Sequence, residues 1–174
     1  MHPRISELLD YVQRQTATLR DAYESVPADQ RAVRPAPDRW SPAEIIHHLE
    51  IVERRLAHAF GRMIEQARAL PPETETTAPL SPERAQIGVD RTKRFVTSEP
   101  FAPRDTDATR VWDDLMRARE ALIEVIRTGD GLALGAVSAP HPALGTLTGY
   151  EWIAFVGSHA ARHAEQIREM NTAR

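Results

Sequence analysis

Ser41-Pro42-Ala43-Glu44-Ile45-Ile46-His47-His48-Leu49 reads as the opening of an α-helix. Ser41 is a good N-cap, and Pro42 suits the first helical position, where its missing N–H costs no bond. Glu44 stands three residues after the serine, the spacing of a capping box in which side chain and backbone satisfy each other. Downstream, Ile45, Leu49, Val52, Leu56, Ala59, Phe60 and Met63 recur at helical spacing and draw one apolar stripe. The helix is expected to run to about residue 69 and to stop before Pro71-Pro72.

Three further segments carry the same period. Residues 5–23 place Ile5, Leu8, Leu9, Val12, Leu19 and Tyr23 on one side, and Pro27 ends the run. Residues 106–128 turn Val111, Leu115, Ala118, Leu122, Val125 and Ile126 inward, and Gly129-Asp130-Gly131 stops them. A last helix is predicted from about residue 146 to 170, with Trp152, Ile153, Val156, Ala160, Ile167 and Met170 as its stripe. Between them lie a proline-bearing connection, residues 71–103, and a shorter one, residues 132–145, broken by Pro140, Pro142 and glycines. A short helical turn is expected at residues 81–94, and no strand-like alternation of useful length is found. Four amphipathic helices with two long crossing connections predict an all-α four-helix bundle.

Composition sets the outer limits. A chain of 174 residues suits one domain, 1–174, and 41% apolar residues suffice for a core without disulfides. The net charge of -3, with Lys and Arg scattered among Asp and Glu, argues against a nucleic-acid partner. The absence of cysteine removes thiolate metal sites and cysteine nucleophiles. No signal peptide is visible, and no apolar run approaches the roughly 20 residues of a membrane span. A cytoplasmic protein without membrane contact is the expectation.

Seven histidines remain to be sorted, and helical angle sorts them. Each residue advances about 100° around a helix, which puts His48 roughly 70° from the centre of its stripe. By the same measure His47 and His58 lie about 170° and 150° away, facing water. On the last helix His159 falls about 65° from the stripe centre and His163 within about 30°. His159 and His163 are one turn apart, so their rings stand along one face. Two such imidazoles can reach one cation, and a third from a facing helix would complete a three-nitrogen site with positions left for water. The competing reading is three ordinary core histidines held by hydrogen bonds, because a single inward histidine usually is one.

Two other motifs fit less well. Glu44-Ile45-Ile46-His47 has the Glu-x-x-His spacing of di-iron bundles, but no second copy exists and His47 points outward. His159-Ala160-Ala161-Arg162-His163 has the zincin spacing, but Ala160 stands where the general-base glutamate belongs.

The stretch from Trp40 through Leu49 resembles the second-helix opening of the DinB-like (DinB/YfiT) metalloenzyme family. His141-Pro142-Ala143-Leu144-Gly145-Thr146-Leu147-Thr148-Gly149-Tyr150-Glu151-Trp152 is similar to the lead into that family's fourth helix, and His159-x-x-x-His163-x-x-Gln166-Ile167 to its ligand motif. The resemblance runs from the first helix to Met170. It implies a bundle that holds a divalent ion, nickel or zinc, on His48, His159 and His163. It also places Gln166 and Glu44 beside the site, where either would orient an imidazole; the alternatives are that Glu44 serves only as the cap and that Gln166 only faces solvent. Trp40 and Trp152 are read as core rings.

Two functions are open at this point. One is a metal-dependent enzyme acting on a small molecule, of the thiol S-transferase or hydrolase type found among such relatives. The other is a non-catalytic, stress-associated bundle whose ion is structural, with His141 or Glu44 as a fourth ligand. Relatives of this kind are frequently homodimers, and residues 132–137 would either join such a contact or cap the core.

Overall fold

The computed structural model describes residues 1–71 and 97–172. Four helices carry the fold among them: α1 (Pro3–Glu24), α2 (Pro42–Arg68), α3 (Val111–Arg127) and α4 (Gly149–Thr172). The all-α bundle expected from periodicity is the architecture observed. The helical turn expected at residues 81–94 lies outside the described residues.

Local chemistry sets the helix starts. The Ser41 hydroxyl accepts from the Glu44 N–H at 3.2 Å, and the Glu44 carboxylate accepts from the Ser41 N–H at 2.8 Å, so the capping box of α2 is complete. Thr148 and Glu151 repeat the device at α4: Glu151 Oε2 takes the Thr148 N–H at 2.7 Å and Thr148 Oγ1 takes the Glu151 N–H at 3.3 Å. α3 begins at Val111, later than the predicted residue 106. Asp107 explains the delay, because its carboxylate accepts from both the backbone N–H and the hydroxyl of Thr109 and holds a turn there.

The second connection is more ordered than its prolines suggest. Residues Ser138–His141 (β1) and Gly145–Thr148 (β2) pair antiparallel, with His141 opposite Gly145. Gly145 sits at φ +76°, the left-handed position that closes a three-residue hairpin loop. The hairpin departs from the expectation of an irregular crossing; Pro140 and Pro142 leave no room for the alternation that would have announced it. Ahead of it Ala133, Leu134 and Val137 are buried in their own chain, so this stretch caps the core. The Leu134 and Val137 carbonyls accept the Gly149 N–H and tie the cap to the start of α4.

The bundle is built as two helix pairs. α1 packs along α4 and α2 along α3, while α2 meets α4, and α1 meets α3, over much shorter lengths. Gly157 lets the first pair close tightly, since a Cβ there would lie 2.5 Å from Cε1 of the Tyr11 ring. Apolar side chains form two clusters. One gathers Ile5, Val12, Leu56, Phe60, Leu122 and Ile153 toward the hairpin; the other gathers Leu19, Ile45, Leu49, Leu115, Ala160 and Ile167.

A buried polar layer lies between the clusters. Arg119 grips Glu53 with two N–H groups, Nε to Oε2 at 2.6 Å and Nη2 to Oε1, and donates from Nη1 to Thr16 Oγ1. Glu53 and Arg119 are 2% and 4% exposed, so this is an ion pair within the core. The stripe read from sequence put Ala118 inward on α3; the buried position there belongs to Arg119.

Candidate metal centre

The site starts from two helix faces. α2 brings His48 inward two turns after its cap, and α4 brings His159 and His163 from one face of consecutive turns. Each of the three offers a ring nitrogen, and these atoms lie within 4.8 Å of one another. The rings converge edge-on rather than stacking: His159 and His163 are inclined at 66° with centroids 4.6 Å apart, and His48 stands 5.2 Å from each at 82° and 71°. His48 and His163 are buried and His159 partly so.

The hydrogen bonds fix which nitrogen faces the group. His48 Nδ1 lies 2.8 Å from the Phe101 carbonyl, which can only accept. Nδ1 therefore carries the proton and Nε2 keeps its lone pair. His163 Nδ1 lies 2.8 Å from Gln166 Oε1, and the same reasoning leaves its Nε2 bare. His163 Nε2 then meets His159 Nε2 at 3.0 Å. Without a cation His159 Nε2 would have to hold the proton and donate it to His163 Nε2. With metal–nitrogen bonds near 2.0–2.1 Å, two nitrogens at that separation subtend about 95° at one ion. The donor set and its backing by Phe101 and Gln166 thus fit a divalent cation.

Two of the rings, His48 and His159, are held toward the neutral form that a metal needs. Burial holds His48 below its ordinary value. His159 is pushed well below 6.5, first by burial and then by His163, His48, His141 and Arg162 around it. Trp40 covers His48 from one side at 4.9 Å, and Phe155 stacks on His159 at 4.9 Å.

The other residues singled out in the sequence divide. Glu44 serves its cap and pairs with Arg34; burial pushes its carboxyl up, but Arg34 and Ser41 together hold it below the usual value. It does not join the histidines. Nor does His141, which falls outside the group, and among the described residues no fourth His, Asp or Glu completes it. His58 is exposed, as its angle predicted. His47 is not fully in water: the segment before α3 folds over it, and its Nδ1 lies 2.9 Å from Thr106 Oγ1.

Sequence reasoning missed the Phe101 carbonyl, which leaves no residue-type signal. It also missed the Glu53–Arg119 pair, for which a signal existed. Both residues stand at i+4 within a stripe, Leu49-Glu53-Leu56 and Leu115-Arg119-Leu122, with opposite charge.

Among known proteins, no curated sequence and no solved structure matches the chain. The family model described as the DinB superfamily matches residues 11–167, a span that reaches into all four helices and includes the three converging histidines. On that match the chain belongs to the DinB superfamily.

Proposed function

We propose that this protein is a metal-dependent enzyme in which His48, His159 and His163 hold one divalent cation, nickel or zinc, to act on a small molecule. The supporting observation is the convergence of three ring nitrogens from α2 and α4, two of the rings turning their other nitrogen away to Phe101 and Gln166. A cation on three uncharged ligands keeps its full charge, and supplies Lewis acidity that polarises a carbonyl or makes a coordinated water or thiol more acidic. The chain's part is to fix the ring orientations, keep the imidazoles unprotonated and leave coordination positions unfilled. Thiol S-transfer and hydrolysis both use such positions.

Metal analysis of the purified protein tests the reading. Wild type should carry close to one equivalent of nickel or zinc, and His163→Ala should lose most of it. Equal, negligible metal in both would defeat the proposal. A screen of thiol cofactors with electrophiles, beside ester and amide panels, then separates transferase from hydrolase.

In a second reading the ion only braces the fold, tying α2 to α4 through His48, His159 and His163. Exchange of solvent at the ion, followed by water proton relaxation with a paramagnetic substitute such as cobalt, decides between them. Fast exchange supports enzyme chemistry, and none supports the structural ion.

A further inference from the structure

The hairpin sets another histidine beside the three. His141 ends β1, and its Nδ1 accepts the backbone N–H groups of Ala143 and Leu144, each at 3.1 Å. A ring nitrogen that accepts two N–H bonds carries no proton, so the neutral ring must hold its proton on Nε2. Burial keeps the ring on the neutral side of its ordinary balance. The turn, closed by Gly145, thereby fixes the tautomer. No protein acceptor meets that Nε2–H among the described residues.

The place of this donor gives it meaning. The His141 ring packs against Phe155 at 4.7 Å and Trp152 at 5.3 Å. Phe155 in turn lies nearly parallel to His159, at 19°. His141 and His159 thus pack against the same phenyl ring. A half-buried donor that meets no acceptor among the described residues is open to water or a ligand.

We propose that His141 is a substrate-contacting residue, whose Nε2–H donates to a carbonyl or oxyanion oxygen of the molecule held at the three-histidine site. This rests on the metal-centre reading above. It narrows the substrate class to molecules with a metal-seeking group at one end and an oxygen acceptor about one ring's width away, their flat portion lying on Phe155 and Trp152.

Two thiols of similar length serve as probes in the cobalt-loaded protein: N-acetylcysteamine, which has an amide carbonyl, and butanethiol, which has none. Binding is read from the visible bands of the ion. Wild type should prefer the amide thiol about tenfold, the worth of one hydrogen bond to a fixed donor. His141→Phe should lose that preference while binding cobalt as tightly, and His141→Gln, which keeps a donor, should recover part of it. An unchanged preference in His141→Phe, or none in wild type, overturns the proposal and leaves the metal centre standing. Failure of wild type to bind cobalt overturns both. Should His141→Phe not fold, long-range nitrogen–proton spectra of wild type decide. An Nε2 proton whose resonance moves with N-acetylcysteamine but not with butanethiol supports the contact; a proton on Nδ1, or no movement, ends it.

Discussion

His48 and His159 carry their functional meaning in their protonation state. Both imidazoles titrate lower in the fold than the ordinary 6.5, first because burial disfavours the charged ring. In the unfolded chain they take up protons near 6.5. Between the two values the unfolded chain holds more protons, so their contribution is fully present above 6.5 and is lost as pH falls through the folded values. The metal-free protein should therefore lose thermal stability on going from neutral to mildly acidic pH. Thermal melts across that range test this, with His159→Phe as the variant whose acid sensitivity should be smaller. A wild-type curve that is flat, or rises toward acid, would contradict the burial described. At this scale the sequence was informative where angle alone decides: His48, His159 and His163 were separable from His58 by counting around a helix. It was uninformative where another segment intervenes, as at His47, because nothing in α2 reports that Thr106 folds over it.

Helices and their contacts raise a different question, that of how closely two backbones approach. Gly157 faces the Tyr11 ring so tightly that an added methyl would stand 2.5 Å from it. Gly157→Ala should destabilise the protein by about 1–3 kcal/mol through forced separation of α1 and α4. Urea unfolding measures it, and the cost should shrink when Tyr11→Ala is combined, since the clash partner is then gone. Additive losses in the double variant would place the strain elsewhere. A capping box made one element boundary legible, since Ser41 with Glu44 announces α2; the structure adds the same device at the start of α4, where Thr148 and Glu151 cap each other. The hairpin itself was hidden because its pairing depends on backbone bonds and a glycine turn, not on an apolar alternation. The start of α3 was misplaced because Asp107 offers Thr109 a local bond that competes with the helix.

Across the whole molecule, the Thr16–Glu53–Arg119 layer divides the core in two and ties three helices at one level. Burial drives the Glu53 carboxyl up while Arg119 draws it back down, so the two charges stand only as a pair. Arg119→Met alone, leaving Glu53 unpartnered, should cost about 3–5 kcal/mol. The joint change Glu53→Leu with Arg119→Met should cost far less or stabilise, as chemical denaturation of both variants would reveal. Equal losses in the single and joint variants would mean that packing, not charge, governs this level. The pattern of helix pairs has a consequence for whatever binds at the histidines. His48 belongs to the α2–α3 half and the other two imidazoles to the α1–α4 half, and these halves share little contact between α2 and α4. A cation held there would act as a rivet through both. Part of its binding free energy would go into keeping the halves together, so its departure would loosen the joint between them while each pair stays zipped along its own length.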